Sequence, residues 1–358
     1  MAKSKYTTIG GQALLEGVMM RGKEHTAMAV RNTAGDIEIE MYPTVSKQRP
    51  AICKKPLIRG VFSLIDSFSM GYKCLMRSAD LSGMAEEEES EKAARRAKKS
   101  KWSLKLEDAL EKFMMPIATV LAVALAVLLF MYLPVQLYAW LAQAIPSIEG
   151  NYLLRSVFEG VVRIVIFLAY VMATALMKDI RRTYQYHGAE HKTIFCYEKG
   201  LPLTVENVRA QKRFHPRCGT SFLVLMLLVG IVVSMFIRVD NPALRTALKI
   251  LTIPLLVSIG YELIQFAGRH DNTLTRIISA PGLAIQRITT KEPDDSMIEC
   301  AIEAMRRVVP EAQGFAARET LARGERVQQS AAQGDAPAAA DAPAAADAPT
   351  AAEPAAAR

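Results

Sequence analysis

The chain has 358 residues, of which 51% are hydrophobic, and it carries a formal net charge of +8 and five cysteines. An odd number of unevenly spaced cysteines argues against a disulfide framework. The excess of Lys and Arg falls beside hydrophobic segments, so it indicates membrane topology and lipid contact and argues against a nucleic-acid partner.

Residues 1–84 are predicted to form a small cytoplasmic α+β region. Four glycines between residues 10 and 22 allow tight turns or close approach of the backbone to another group, and they do not match a nucleotide-binding pattern. Alternating apolar and polar residues on both sides of Asn32–Gly35 predict a β-hairpin over residues 26–41. Residues 56–81 have apolar side chains at helical spacing, which predicts an amphipathic helix.

Residues 85–112 are a predicted charged linker, because four consecutive glutamates are followed by a run of Lys and Arg. Residues 113–267 are predicted to hold four transmembrane helices, since each of four apolar segments approaches the ~20 residues that a bilayer requires. These segments are Met115–Tyr138, Val157–Met177, Ser221–Ile237 and Ala247–Phe266. Glu159 and Arg163, four residues apart near the start of the second segment, are expected to snorkel toward the membrane surface.

Basic residues define the expected orientation in the membrane. Lys and Arg crowd the region before the first segment, the loop 178–220 and the region after the fourth segment. By the positive-inside rule, both termini and this loop face the cytoplasm, where thiols stay reduced. Residues 1–11 lack the apolar core of a cleavable signal peptide, so none is expected.

Residues 268–312 are predicted to form a C-terminal cytoplasmic segment that contains a helix over Ser296–Val309, capped by Asp294 or Asp295. Residues 313–358 are rich in Ala and Pro, cannot bury a core, and are predicted to be a disordered tail. The predicted fold is therefore a mainly α, polytopic membrane protein. It has about four transmembrane helices, a small α+β N-terminal region and a disordered C-terminal tail.

A candidate chemical site lies in the loop between the second and third apolar segments. His187 and His191 are four residues apart, so on a helix both imidazoles lie on one face with Glu190 beside them. This is the H-x-x-E-H order of a group of zinc peptidases, in which the histidines bind metal and the glutamate activates water. His215 and Cys218 flank a tight turn of the kind found in zinc knuckles. The four His and Cys residues are predicted ligands of zinc or another divalent transition metal, and Glu190 is the predicted catalytic base.

Other interpretations of these residues stay open. Paired histidines near a membrane can serve only as hydrogen-bonding groups, and a Cys before Gly can be a small buried hydrophobe. Gly188 counts against a regular helix by about 1 kcal/mol relative to Ala. Cys196 is a further candidate ligand, and Glu262 is a candidate ligand or a hydrogen-bond partner of one. Three protein ligands leave a position open for catalysis, whereas four close the site.

Residues 10–22, 186–192 and 208–222 resemble, in the same order, the YqhQ-like family of bacterial membrane proteins, and the likeness continues through Thr289–Pro293. It covers about residues 6–310. The family is described as a predicted metal-dependent enzyme whose reaction is open. The resemblance implies a location in the bacterial inner (cytoplasmic) membrane. It also implies a metal site at His187, Glu190, His191, His215 and Cys218.

The leading functional hypothesis is a metal-dependent hydrolase that acts on a membrane-associated substrate, either lipid-linked or a membrane protein. His187, His191 and either His215 or Cys218 would hold zinc, and Glu190 would accept a proton from water. The alternative is a non-enzymatic membrane scaffold or assembly factor with a structural zinc site. A transporter ranks last, because the apolar segments are mostly Leu, Val, Ala and Ile and have no internal repeat.

Overall fold

The computed structural model describes residues 7–44, 50–84, 116–270, 272–309 and 318–321. The predicted charged linker 85–112 lies outside the described residues. So does the predicted disordered tail 313–358, apart from four residues. Those four form a strand, so this part of the tail differs from the prediction.

Five antiparallel strands form one sheet whose spatial order follows their order in the chain. The strands are β1 (Gly10–Leu14), β2 (Gly17–Arg21), β3 (His25–Arg31), β4 (Ile37–Pro43) and β5 (Arg318–Leu321). The predicted hairpin is confirmed as β3 and β4, joined by a turn in which Gly35 has φ 89°. The hairpin of β1 and β2 was not predicted. Its strand β2 is buried on both faces and so lacks the alternation that identifies a strand.

Ten helices accompany the sheet in the part of the chain that the structure describes. They are α1 (Arg59–Leu81), α2 (Pro116–Ala144), α3 (Tyr152–Thr174), α4 (Lys178–Glu198), α5 (Val205–Arg209), α6 (Gly219–Ser234), α7 (Pro242–Leu251), α8 (Ile253–Arg269), α9 (Thr273–Thr289) and α10 (Asp295–Arg306). The predictions of α1 and of α10 are confirmed, and Asp294 caps α10 by accepting from the Met297 N–H. The predicted loop 178–220 is largely helical, since α4 runs through 21 of its residues.

The sheet is covered on both faces. Val18, Met20 and Ile39 pack with residues of α4 and α10 in one core, and Met19 and Met28 pack with Cys74 of α1 in the other. Because side chains alternate along a strand, β1 to β4 each supply residues to both cores. The N-terminal region and the C-terminal segment therefore fold together around the sheet, although they lie far apart in the sequence.

Two described helices, α2 and α3, are long and apolar enough to cross a membrane. A third span is present if α7 and α8, which meet at a bend of 46°, count as one. The helix α6 is apolar but has 16 residues, fewer than the ~20 that a straight span needs. Four apolar segments are thus helical as predicted, but the prediction of four spans is not confirmed.

Charged residues are buried among the apolar helices. Glu159 of α3 and Arg245 of α7 are fully buried, and Glu159 Oε1 accepts from Arg155 Nε and from Arg245 Nε, each at 3.0 Å. The second carboxylate oxygen of Glu159 contacts Lys249 Nζ. Arg163, one turn further along α3, donates to the Phe130 carbonyl oxygen at 2.9 Å. The expectation that Glu159 and Arg163 snorkel is therefore wrong, because both side chains join a network between helices.

We expect Glu159→Gln to lower the thermal unfolding midpoint of the detergent-purified protein. Removing one partner of a buried ion pair leaves the other charge uncompensated and lowers the free energy of unfolding by about 3–5 kcal/mol. Glu149→Gln, which also removes one carboxylate but at an exposed position, is the matched control and should leave the midpoint unchanged. An equal midpoint for Glu159→Gln and wild type would show that the network does not stabilise the helices.

Candidate functional site

The helix α4 positions His187 and His191 on one face, where their ring centroids lie 4.4 Å apart. The helix continues through Gly188, although the low helix propensity of glycine argues against a regular helix at this position. A Cβ atom at Gly188 would overlap the Lys291 carbonyl oxygen, so glycine lets the backbone of residues 289–293 approach α4 directly. The Lys291 N–H donates to the Tyr184 carbonyl oxygen at 2.8 Å and holds this approach. The requirement for glycine here is one of packing.

Both imidazoles are oriented in the same way. His187 Nδ1 lies 2.9 Å from the Thr289 carbonyl oxygen, and His191 Nδ1 lies 2.5 Å from the Arg213 carbonyl oxygen. A carbonyl oxygen only accepts hydrogen bonds, so each Nδ1 carries a proton and donates it, and Nε2 is the ring nitrogen left for another partner. Metal-binding histidines have this pattern of outer contacts.

The two rings converge on one sulfur atom. His187 Nε2 lies 3.1 Å from Cys218 Sγ, and the His191 ring lies edge-on to the His187 ring beside it. The candidate ligand atoms of the three residues all lie within 4.8 Å of one another. Tetrahedral ligands at 2.0–2.3 Å from zinc are separated by roughly 3.5 Å, and the 3.1 Å between His187 Nε2 and Cys218 Sγ is close to this spacing. We call the three residues the His–His–Cys centre.

The charges within the centre favour a thiolate. Burial by itself would raise the pKa of the Cys218 thiol, but the charges of His187 and His191 hold that pKa well below its ordinary value. Burial would lower the pKa of His187, yet the charges of Cys218 and Glu190 raise it to about 9. The thiolate is the form of cysteine that binds metal.

Glu190 lies beside the centre, as the helical spacing predicts. Its side chain is buried, and Oε2 is 3.8 Å from His187 Nε2. Burial raises the pKa of Glu190, and the nearby His191 and His187 charges and the Gly11 backbone N–H counteract this. A Cβ atom at Gly11 would lie 2.6 Å from Glu190 Cγ, so β1 covers the carboxylate closely. The glycine-rich N-terminal segment therefore closes one side of the site.

The structure does not place His215 in the centre with the other three predicted ligands. His215 Nε2 lies 3.6 Å from Glu198 Oε2, and its Nδ1 accepts from the Arg217 backbone N–H at 3.3 Å. Its ring packs against Phe195, with centroids 4.7 Å apart. Burial lowers the pKa of His215, and the hydrogen bond to Glu198 opposes this effect. Both ring nitrogens thus have protein partners.

Two further candidate ligands also lie elsewhere. The thiol of Cys196 donates to the Pro202 carbonyl oxygen at 3.4 Å within the sheet core. Glu262 accepts from Arg59 Nε at 2.7 Å at the crossing of α1 and α8. The site therefore depends on α4 and on the turn before α6, without a contribution from α8.

Gln286 and Glu198 support the site and were not identified from the sequence. Gln286 of α9 accepts from the His215 N–H at 2.7 Å and donates to the His215 carbonyl oxygen at 2.7 Å, which fixes the turn that carries Cys218. Glu198 accepts from Thr7 Oγ1 at 3.2 Å and pairs with Arg217, fastening the N-terminal segment to the turn. Neither residue has a motif signal, because its role comes from contacts between distant segments.

Comparison with known proteins confirms the family resemblance. Residues 55–311 match a family described as "Protein of unknown function (DUF1385)". The chain is also 34% identical over 297 residues to the "Uncharacterized protein YqhQ" of Bacillus subtilis (strain 168), covering 82% of this chain and 90% of that protein. No solved structure matches the chain.

We expect Gly188→Ala to lower the thermal unfolding midpoint, although Ala is a better helix former than Gly by about 1 kcal/mol. The new methyl group must displace the backbone at Lys291 and, with it, the carbonyl that orients His187. Gly219→Ala in the first turn of α6 is the control, since its Cβ would meet nothing within 4 Å. A midpoint for Gly188→Ala at or above that of wild type would contradict the proposed packing requirement.

The position of His215 gives a second test. We expect His215→Gln to keep a zinc content equal to that of wild type, because this side chain faces Glu198, whereas His191→Gln should lose the ion. The measurement is the zinc content per chain of the two purified variants, by mass spectrometry. Loss of zinc from a folded His215→Gln protein would restore His215 to the ligand set.

Proposed function

We propose, from the premise that this chain belongs to the DUF1385 family of proteins of unknown function, that it is a metal-dependent hydrolase of the bacterial inner membrane. In this proposal the His–His–Cys centre binds zinc, Glu190 is the catalytic base, and the substrate is membrane-associated.

One observation carries the proposal: two imidazoles, each held by a backbone carbonyl at Nδ1, lie with the Cys218 sulfur so that the three candidate ligand atoms are within 4.8 Å of one another. A cysteine nucleophile needs one base, and a second imidazole aimed at it would have no role. Two imidazoles and a thiolate around one point are instead a ligand set for zinc or another borderline transition metal. Three protein ligands leave the fourth position open.

The residues of the chain then have defined roles. A bound zinc ion would supply Lewis acidity, polarising a substrate oxygen and acidifying water. His187 and His191 hold their orientation through the Thr289 and Arg213 carbonyls. Glu190, within 3.8 Å of a ligand atom, accepts the proton released from water and delivers it to the leaving group. The cover of β1 keeps bulk solvent away from the carboxylate.

The location of the centre favours a membrane substrate. Cys218 is the N-cap of the apolar helix α6, and α4 begins four residues after the end of the membrane-length helix α3. The centre therefore lies near the ends of apolar helices, which supports a position close to a bilayer surface. The concentration of Lys and Arg in residues 178–217 supports a cytoplasmic position for the centre and for both termini.

A structural zinc site in a membrane scaffold is the second candidate, and burial is the observation that favours it. Only 1% of His191 and 8% of Cys218 are exposed. The Glu190 carboxylate is near enough to act as a fourth ligand after a small side-chain rotation, which would close the site. The same centre would then clamp α4 to the turn before α6.

The variant Glu190→Gln separates the two candidates. Zinc-loaded wild-type and Glu190→Gln proteins are incubated with bacterial membrane lipids and with bacterial membrane proteins, and the products are identified by mass spectrometry. We expect about one zinc per chain in both proteins and water-addition products only with wild type, because the variant lacks the base. Identical products from two equally metal-loaded proteins would favour the structural site.

A further inference from the structure

A cavity of about 550 Å³ lies directly beside the site, between the β1–β2 hairpin, α1 and the C-terminal end of α8. Its lining includes five basic side chains and no carboxylate among the described residues. The basic residues are Arg21, Lys23, Arg59, Arg217 and Arg269. Ser63, Ser67 and Gln265 add hydrogen-bonding groups. We call this cavity the basic cavity, and its composition suits a phosphate group.

Two of the five cations are neutralised from outside the cavity, since Arg59 pairs with Glu262 and Arg217 pairs with Glu198. Arg21 donates to Ser67 Oγ at 3.0 Å, a neutral partner. Positive charge thus exceeds negative charge around the cavity. An anionic ligand would reduce the resulting repulsion.

An apolar groove of about 370 Å³ lies next to the basic cavity on the same two helices. Its lining is Leu57, Ile58, Val61, Phe62, Pro254, Leu255 and Ser258. The helices α1 and α8 cross between the two features at Gly60, where a Cβ atom would lie 2.8 Å from Tyr261 Cβ. We call this feature the apolar groove.

The apolar groove and the basic cavity follow each other along α8 in the order expected for the interior and the surface of a bilayer. The helix α8 runs from Pro254, in the bent apolar pair, to the basic residue Arg269 at its end. The groove therefore lies deeper than the cavity. On α1, the exposed apolar side chains Ile65 and Phe68, 51% and 67% accessible, are typical of a helix at a membrane surface.

Leu57 lines the groove in a backbone conformation that disfavours a bulky residue, with φ 66°. Such conformations are strained and cluster at ligand sites. Here the conformation turns the chain into α1 and leaves the Leu57 side chain 53% exposed at the groove. A smaller polar residue that tolerates φ above zero would fit the backbone more easily. We therefore attribute the leucine to the apolar surface that its side chain adds to the groove.

We infer that the basic cavity and the apolar groove together bind a lipid with an anionic phosphate headgroup. The phosphate lies in the cavity and an acyl chain lies in the groove. Gly11 lines the cavity and also contacts Glu190, so only the backbone of β1 separates a headgroup in the cavity from the catalytic carboxylate. That this lipid is the substrate of the centre rests on the proposed hydrolase function, whereas the binding itself does not.

Isothermal titration calorimetry on the full chain in phosphatidylcholine nanodiscs tests the binding. Three probes are compared: dioctanoyl phosphatidic acid, dioctanoyl phosphatidylcholine and inorganic phosphate. We expect the phosphatidic acid to bind at least tenfold more tightly than either other probe, because only it has both an anionic headgroup and acyl chains. Equal affinity for inorganic phosphate would overturn the lipid assignment, and equal affinity for phosphatidylcholine would overturn recognition of the anion.

Matched variants locate the site. Arg21→Gln with Arg269→Gln should weaken phosphatidic acid binding at least tenfold. Arg181→Gln with Arg238→Gln removes the same charge at exposed positions outside the cavity and should not weaken it. Leu57→Asn, which tolerates the backbone conformation, should weaken phosphatidic acid binding about tenfold and leave phosphate binding unchanged. Unchanged lipid affinity in either the cavity or the groove variant would overturn the inference.

The same titration on Glu190→Gln and His191→Gln proteins keeps this test separate from that of the hydrolase. Lipid binding should persist in both, since neither residue lines the cavity or the groove. Binding without any hydrolysis would leave the lipid site standing and remove the proposed function. Hydrolysis without phosphatidic acid binding would support the proposed function and overturn the lipid site.

Discussion

The backbone of residues 289–293 rests directly on α4 at Gly188, and the site depends on this contact. The approach supplies the Thr289 carbonyl that orients His187, and the Lys291 N–H bonds to the Tyr184 carbonyl oxygen. It also brings α10 against α4, where α10 completes the core beneath the sheet. A single position without a side chain thus joins the orientation of His187 to the packing of the sheet core.

The N-terminal hairpin meets the same centre from the other side. Gly11 allows β1 to cover Glu190, and the Thr7–Glu198–Arg217 contacts hold the segment in place. Three segments that are distant in the sequence, around residues 7–14, 187–218 and 289–293, therefore enclose the His–His–Cys centre and the Glu190 carboxylate. A ligand set built by long-range packing is rigid, which suits an ion that requires fixed geometry.

Local spacing was enough to predict part of this arrangement. The period of a helix was enough to predict that His187, Glu190 and His191 lie together. The knuckle-like turn offered two further candidates, and the structure brings one of them, Cys218, to the two histidines. The choice of Cys218 over His215 could not be made from sequence, because it depends on Glu198 and Gln286, which reach the turn from α4 and α9. Gly188 was misjudged because helix propensity, about 1 kcal/mol, was weighed without the backbone that packs on it.

The apolar helices show the same limit. Their positions follow from hydropathy, but the buried network around Glu159 depends on Arg245 and Lys249, which are about ninety residues away in the sequence. The network also removes one argument against a transporter, the absence of polar groups within the spans, while the absence of an internal repeat still stands. Where partners are distant, single-sequence reasoning identifies the residues and misses what they contact.

Zinc K-edge X-ray absorption of the purified wild-type protein tests the central claim most directly, because it reports the ligands themselves. We expect zinc to be surrounded by one sulfur at about 2.3 Å and two imidazole nitrogens at about 2.0–2.1 Å. A first shell without sulfur, in a protein that holds its zinc tightly, would contradict the assignment of His187, His191 and Cys218 as one metal centre.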